Sequence, residues 1–345
     1  MNSVADLTME IRDRETSMET ALEPELPICD AHHHLWERPP RVYLLKDLCG
    51  DLAAGHNVVS TVAVECGYGY RTNGPEELKP VGETEFLESN AVEAARDLAI
   101  KPRIAAAIVG FADLALGDRV APVLEAHLAA SPGRFRGIRR STTWDASDGL
   151  RSEAPRGMLA MREFRTGFMW LRKFNLTFDA WLYYPQLPEL ADLARAFPDV
   201  TIILNHIGAP LGVGPYARKR EEVFQIWRSG IALVAQCSNV HVKLGGVGSL
   251  RSGYDWHERQ TGPSSEELAS ALKPCFEWCI EKFGPSRCLF ESNFPVERQS
   301  NDYVALWNAF KRLTRRYSAA ERAALFHDTA TRVYRIGAES RHSES

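Results

Sequence analysis

Short apolar runs alternate with amphipathic helical stretches along this chain, and this alternation is what most constrains its fold. The runs predict eight strands: Ile28–Ala31, Val58–Glu65, Arg103–Val109, Phe135–Arg139, Leu176–Leu182, Val200–Asn205, Val240–Leu244 and Cys288–Ser292. A helix between consecutive strands lets them run parallel. Eight such units over about 310 residues predict an α/β protein, a single (β/α)8 TIM barrel. A doubly wound open sheet is the alternative, but neither usual Gly-rich phosphate-binding pattern opens a helix here.

The acidic residues are concentrated at the amino terminus. Residues 1–26 hold seven acidic residues against two arginines, so the rest of the chain carries a net charge of +1 although the whole carries −4. We predict an acidic flexible tail over 1–26, the barrel over 27–337 and a polar tail over 338–345. The nearly neutral body predicts neither a nucleic-acid nor a membrane partner. We expect a small-molecule substrate, and a homo-oligomer stays open.

The cysteine content bears on the compartment. The chain has seven cysteines, an odd number, and no CxxC pattern. Its first 26 residues lack the basic and apolar regions of a secretory signal. These features favour free thiols in a reducing, cytoplasmic environment.

The strongest chemical signal is the run DAHHH at 30–34, where the first predicted strand ends. Side chains alternate along a strand, so His32 and His34 would share a face and the histidine between them would point away. Two imidazoles on one face can bind a metal ion, although three adjacent histidines also occur in surface loops. His206 follows another buried strand, at the end where a barrel carries its active-site groups. A core histidine bonded to the backbone is the alternative for His206 alone.

Five motifs together resemble the amidohydrolase superfamily, in its amidohydrolase-related branch of lactonases and decarboxylases. They are DAHHHLW at 30–36, RGIRR at 136–140, LNHIGAP at 204–210, VKLGG at 242–246 and FESNFPV at 290–296. The resemblance covers nearly the whole chain. It implies a (β/α)8 barrel and a hydrolase that opens a lactone or a related cyclic carbonyl compound. A decarboxylase of an aromatic acid is the alternative, and an inactive ligand-binding relative is a second one.

The resemblance also implies a metal centre with one departure. The family's metal-ligating histidines fall on His32, His34 and His206. Its last-strand aspartate, usually both ligand and general base, falls on Asn293, and an amide cannot take a proton from water. The family's fifth-strand histidine has no counterpart here. We therefore expect one divalent metal ion, zinc, which acidifies a water molecule. A metal-free mechanism with a histidine as base is the alternative.

Glu291 is a candidate to compensate for the missing aspartate. It lies two residues before Asn293, so the two side chains share a strand face. A buried carboxylate needs a partner, and Lys243 on the neighbouring strand is the expected one. Glu291 then has two interpretations, a catalytic group or one half of a structural ion pair.

Several further residues are candidates for the substrate site. Arg139 and Arg140 end the fourth strand, and one of them is expected to face the barrel mouth and bind a carboxylate or an oxyanion. A salt bridge at the rim is the alternative for both. Glu65 ends the second strand and would orient a histidine.

Aromatic residues and a loop complete the predicted site. The predicted aromatic walls are Trp181, Tyr183 and Trp256. Residues 249–263 follow a Gly-rich stretch and are predicted to form a lid loop after the seventh strand. His257 on this loop is a candidate for acid–base chemistry, and a surface histidine is the alternative.

Overall fold

Eight parallel strands form a nearly closed barrel in the computed structural model, which describes residues 19–147 and 149–337. Neighbouring strands are paired in chain order, as expected when each parallel crossover passes over the outside of the barrel. The strands are β1 (Ile28–His33), β4 (Val58–Val64), β5 (Arg103–Gly110), β6 (Phe135–Ser141), β7 (Thr177–Trp181), β8 (Ile202–Leu204), β9 (Val240–Leu244) and β10 (Cys288–Phe290). A hairpin, β2 (Trp36–Arg38) and β3 (Arg41–Tyr43), follows β1. The predicted fold class is confirmed.

Helices cover the outside of the barrel. They are α1 (Leu45–Leu52), α2 (Val81–Arg96), α3 (Ala121–Ala130), α4 (Arg162–Lys173), α5 (Leu187–Ala196), α6 (Arg220–Ala235), α7 (Ser265–Phe283), α8 (Tyr303–Leu313), α9 (Ala319–Ala323) and α10 (Thr329–Val333). The larger apolar core lies between strands and helices, as where Phe290 of β10 stacks on Phe310 of α8 with ring centroids 4.5 Å apart. Within the two described ranges, no helix is long and apolar enough to cross a membrane.

The barrel closes between β1 and the residues that follow β10. His33 and Phe294 form a single parallel bridge there. The Asn293 amide donates to the His32 carbonyl at 2.8 Å, and the His34 amide donates to the Phe294 carbonyl at 2.8 Å. The Asp30 carboxylate adds a side-chain link by accepting from the Ser292 amide at 2.8 Å. The seam of the barrel therefore passes through the histidine run.

The amino-terminal segment is packed from residue 19 onward. The Glu19 carboxylate accepts from the Ser265 amide at 2.7 Å and from the Asn308 side chain at 2.9 Å. The Leu22 amide donates to Asn308 Oδ1 at 2.8 Å. Part of the segment 1–26, which the sequence predicted as a flexible tail, is thus hydrogen-bonded to α7 and α8. Residues 1–18 and the predicted tail at 338–345 lie outside the described residues.

The carboxyl-terminal segment contributes to the inside of the barrel. Tyr334 is buried in a cluster with small strand residues such as Ala31 and Ala107, whose side chains leave room for its ring. Its hydroxyl donates to the buried Asp179 carboxylate, with oxygen distances of 3.0 and 2.9 Å. The Lys243 ammonium lies 2.8 Å from the same carboxylate. A buried charge pair with its hydrogen-bond donor therefore forms the floor below the histidines.

Replacing Tyr334 with phenylalanine tests this floor. Tyr334→Phe keeps the ring but removes a donor from a fully buried carboxylate, so we expect the free energy of unfolding to fall by about 1–3 kcal/mol. Tyr216→Phe is the control, because its hydroxyl also donates to an aspartate, Asp145, at a partly exposed site. Urea denaturation measures both. Equal losses in the two variants would contradict the buried role of Tyr334.

The buried Glu297 carboxylate joins two loops at the carboxyl ends of the strands. Its Oε2 accepts from the Gly248 amide at 2.7 Å and from the Asn301 side chain at 2.9 Å. Its Oε1 accepts from Asn293 Nδ2 at 3.5 Å. Burial raises the pKa of Glu297 to about 8. The folded protein therefore holds a proton on this group at neutral pH, while an unfolded chain does not.

This difference predicts a pH-dependent stability. The unfolded chain releases the Glu297 proton near the ordinary glutamate pKa, whereas the folded protein releases it only near pH 8. The free energy of unfolding therefore falls as pH rises between these two values. Glu297→Gln has no such proton. We expect the free energy of unfolding of the wild type, relative to the variant, to decrease from about pH 5 to about pH 8.5. Urea denaturation at several pH values measures it, and a constant difference would contradict the assignment.

Candidate active site

The three predicted ligand histidines meet at the carboxyl ends of the strands. His32 Nε2 lies 3.1 Å from His34 Nε2, and the rings of His32 and His206 have centroids 4.8 Å apart. His33 points away, as strand alternation predicts, and contacts Thr61 Oγ1 at 2.9 Å. Burial is the main cause that lowers the pKa of His32 and His34 well below the usual value. Both imidazoles are therefore neutral, and each has a ring-nitrogen lone pair that can bind a metal.

The tautomer of His34 follows from its surroundings. Its Nδ1 lies 2.8 Å from the Val64 carbonyl, which can only accept a hydrogen bond. Nδ1 therefore carries the proton, and Nε2 presents a lone pair toward His32.

His206 and Glu291 form a close pair inside the barrel. His206 Nδ1 lies 2.6 Å from Glu291 Oε1, and the His206 backbone amide donates to the same oxygen at 3.2 Å. Both contacts reach one oxygen because His206 has a left-handed backbone, with φ of 52°. In the neutral tautomer that donates from Nδ1 to this carboxylate, His206 Nε2 has a lone pair and can act as a base.

Two glycines make room for this pair. A Cβ at Gly246 would lie 2.1 Å from His206 Nδ1, and one at Gly245 would lie 2.4 Å from Glu291 Cγ. Gly246 also has φ of 68°, which disfavours other residues. The sequence VKLGG therefore serves the packing of His206 and Glu291.

The expected Glu291–Lys243 pair is wrong. The Lys243 ammonium instead lies 2.8 Å from Asp179, on the strand two positions away in the barrel, and 3.2 Å from His32 Nδ1. Glu291 is longer than aspartate and reaches up to His206, so it belongs to the histidine cluster. Its Oε2 lies 2.8 Å from His32 Nδ1, and no described residue donates a well-directed hydrogen bond to it.

The two arginines of β6 point in opposite directions, as alternation along a strand requires. Arg139 turns inward: its Nε donates to Glu65 Oε1 at 2.6 Å, and its Nη1 lies 3.3 Å from His32 Nε2. Arg140 turns outward to Asp113 at 3.3 Å and to the ring of Phe111. A substrate-binding role for Arg140 is therefore not supported by its position. The sequence had suggested that Glu65 orients a histidine. In the structure Glu65 instead orients Arg139.

The predicted aromatic residues divide into two groups. Trp181 contacts His206 edge-on, with centroids 4.8 Å apart, and Tyr183 lies beside Trp181. Trp256 instead stacks on Tyr254 within the loop after β9, with centroids 4.2 Å apart. His257 lies 3.9 Å from the Glu258 carboxylate on this loop and makes no hydrogen bond or ring contact with the three histidines. Of the predicted aromatic residues, Trp181 thus lies against a histidine, and Tyr183 lies next to Trp181.

Asn293 lies at the seam of the barrel. Its backbone has φ of 54°, a conformation that asparagine tolerates better than most residues. Its side-chain amide donates to Glu297 Oε1 at 3.5 Å. Asn293 is thus held near the histidines by both its main chain and its side chain, without supplying a base.

The donor set fits one divalent metal ion. His32, His206 and Glu291 each offer a ligand atom, and these atoms lie within 4.8 Å of one another. Two imidazoles and a carboxylate are common zinc ligands, and Glu291 Oε2 has no well-directed donor among the described residues. Arg139 and Lys243 already place two positive charges next to His32, which disfavours a second ion. His34, which the sequence predicted as a ligand, lies beside His32 but outside this group.

Several residues of the site carry no evident sequence signal. Tyr334 reaches Asp179 across 155 positions of the chain. Asp179 is an exception that the sequence could have revealed. It lies two residues before Trp181 and therefore on the same strand face. Trp36 stacks on His34, with centroids 5.8 Å apart, because a hairpin begins directly after the histidine run.

Comparison with known proteins identifies the family of this chain. The model of the Amidohydrolase family matches residues 29–336. The uncharacterized protein y4mH of Sinorhizobium fredii is 32% identical over 335 residues, which cover 90% of this chain and 99% of that protein. An L-fucono-1,5-lactonase of Burkholderia multivorans is 26% identical over 320 residues, covering 89% and 95% of the two chains.

The fold also matches a solved structure. A crystal structure of an amidohydrolase from Burkholderia multivorans with bound zinc superposes with a TM-score of 0.69 at 24% identity, and covers 90% of this chain and 99% of that one. The family match over most of the chain and the eight-stranded barrel lead to the same conclusion. This chain belongs to the amidohydrolase family.

Proposed function

We propose that this protein is a hydrolase that opens a lactone by attack of water on the ring carbonyl. The observation that carries the proposal is the His206–Glu291 pair, 2.6 Å apart beside Arg139 at the catalytic end of the barrel. The similarity to an L-fucono-1,5-lactonase supports a lactone as substrate. The neutral imidazoles of His32 and His34, next to His206, support water activation.

His206 is the base in this proposal. Its Nδ1 proton is held by Glu291, so Nε2 can take a proton from a water molecule as the water attacks. The Glu291 carboxylate then stabilises the imidazolium that forms. The same proton can return to the ring oxygen as it leaves, which completes the opening of the lactone. Glu291 acts through His206 and is therefore a positioning residue, which compensates for the amide at Asn293.

Arg139 supplies positive charge where negative charge develops. Two contacts with Glu65, one to its carboxylate and one to its carbonyl, fix the guanidinium. Its Nη1 lies next to His32, so it points into the histidine cluster. A fixed cation at this point would stabilise the oxyanion of the tetrahedral intermediate. Trp181 would form the wall beside His206 and limit the access of bulk water.

A metal ion would take the place of the His206 base, because His206 and Glu291 would then be its ligands. Zinc fits the ligands His32, His206 and Glu291, with His34 beside them, and the related amidohydrolase structure contains zinc. When bound, such an ion would polarise the carbonyl and lower the pKa of a nearby water. The residues of this chain would still bind the lactone, orient it and manage its leaving group.

Replacement of Glu291 tests the base. Glu291→Gln keeps the shape but cannot stabilise the His206 imidazolium, so we expect kcat for lactone opening to fall about 100- to 1000-fold with KM nearly unchanged. Steady-state hydrolysis of a panel of five- and six-membered lactones measures this.

The control is a glutamate outside the site. Glu88→Gln removes the partner of Arg134 at a partly exposed position and should leave kcat within about twofold of wild type. Thermal unfolding of both variants shows whether they are folded. A Glu291→Gln protein with the wild-type kcat would refute the role of Glu291.

Metal removal tests the zinc. We expect purified protein to hold about one zinc per chain, and exhaustive chelation to reduce turnover at least tenfold, with recovery on adding zinc. Elemental analysis and activity assays measure the two quantities. Full turnover in metal-free protein would exclude zinc from the mechanism and leave His206 and Glu291 as the catalytic base system.

The reaction class has its own test. Hydrolysis in labelled water places one 18O atom in the product carboxylate, whereas decarboxylation releases CO2 and takes up no 18O. Mass spectrometry of products from lactones and from aromatic carboxylic acids separates the two. Release of CO2 from an aromatic acid, with every lactone inert, would refute the proposed function.

A further inference from the structure

The loop after β9 carries an arginine across the barrel mouth. This loop leaves β9, passes over the loop after β8 and reaches the end of β7. There the Arg251 guanidinium carbon lies 5.8 Å from the centre of the Trp181 ring. Trp181 in turn contacts His206. The indole ring of Trp181 therefore lies between Arg251 and His206, the proposed base.

The position of Arg251 is fixed by tight backbone packing. The Gly212 amide donates to the Arg251 carbonyl at 2.7 Å. A Cβ at Gly212 would lie 2.3 Å from the Ser252 carbonyl oxygen, and one at Gly253 would lie 2.3 Å from the Gly212 carbonyl oxygen. Two glycines thus allow the turn that holds Arg251 to dock on its neighbour. The guanidinium is presented by a closely packed turn and not by a free loop tip.

Arg251 differs from the other cations of the site in its charge balance. Arg139 is paired with Glu65, and Lys243 is paired with Asp179. No carboxylate of the described residues lies within 4 Å of the Arg251 guanidinium. Its neighbours are the ring of Trp181 and the hydroxyl of Tyr183. Burial raises the pKa of this hydroxyl, and the positive charge of Arg251 lowers it. A half-buried cation without a counter-charge favours an anionic ligand.

We propose that Arg251 binds a carboxylate on the substrate, so that the preferred lactone carries an acidic substituent. This inference rests on the proposed lactone hydrolysis and adds the substrate class. The indole ring between Arg251 and His206 places the anion on a substituent and not on the reacting carbonyl. A single guanidinium balances the single charge of a carboxylate and would leave a phosphate dianion partly unpaired.

A pair of matched substrates tests the proposal. The probes are a six-membered lactone with one carboxylate on the ring carbon next to the ring oxygen, and its primary carboxamide. We expect wild-type kcat/KM to be at least tenfold higher for the carboxylate. In Arg251→Gln, kcat/KM should fall about 10- to 100-fold for the carboxylate, mainly through KM, and less than about threefold for the carboxamide. Arg251→Lys should recover part of the loss.

Arg259→Gln is the matched control. Arg259 lies on the same loop, is exposed and pairs with Glu267 at 2.6 Å. We expect it to leave both substrates unaffected. An equal loss for both substrates in Arg251→Gln, or a wild type without preference for the carboxylate, would overturn the proposal and make Arg251 a packing residue of the loop.

A binding measurement separates this proposal from the proposed function. The cyclic ethers that correspond to the two lactones have no carbonyl to attack, and calorimetry measures their affinity for wild type and Arg251→Gln. Tighter binding of the ether carboxylate, lost in the variant, supports Arg251 even if no lactone is hydrolysed. Equal binding of the two ethers overturns Arg251 recognition even if lactones are hydrolysed.

Discussion

The closing seam of the barrel is the constraint on which the site depends. In the described part of the chain, one bridge between His33 and Phe294 joins β1 to the chain after β10, and the hydrogen bonds beside it are made by His32, His34, Asn293 and Phe294. The hydrogen bonds that close the sheet therefore also fix the backbone at His32 and His34. Asp30 strengthens the seam by accepting from Ser292 on one oxygen and from the Tyr303 hydroxyl at 3.1 Å on the other.

The inside of the barrel is arranged as layers of paired groups. The lowest layer is apolar and includes the ring of Tyr334. Above it, Asp179 and Lys243 form an ion pair that touches His32 from below. The next layer pairs Glu291 with His206. Removing either member of such a pair leaves a buried group without its partner, which costs more than the pair itself contributes. The network therefore holds the histidines in one arrangement.

Much of the fold and the centre of the site follow from sequence, because local periodicity determines them. Strand alternation gave the shared face of His32 and His34 and the opposite directions of Arg139 and Arg140. The predicted ion-pair partners inside the barrel were wrong. Lys243 was expected to pair with Glu291, but it pairs with Asp179, since side-chain length and strand stagger decide which groups meet inside a barrel. No local pattern reveals that Tyr334 enters the barrel.

The asparagine at position 293 keeps a third carboxylate out of this part of the site. A carboxylate at 293 would lie close to Glu291 and Glu297, and three carboxylates in one buried site would repel each other. The chain instead has a neutral amide between them, and burial keeps Glu297 protonated up to about pH 8. Glu291 faces the histidines, and its Oε1 contacts His206 Nδ1 at 2.6 Å. The buried carboxylate that contacts the histidines thus lies at Glu291, two residues earlier in the chain than Asn293.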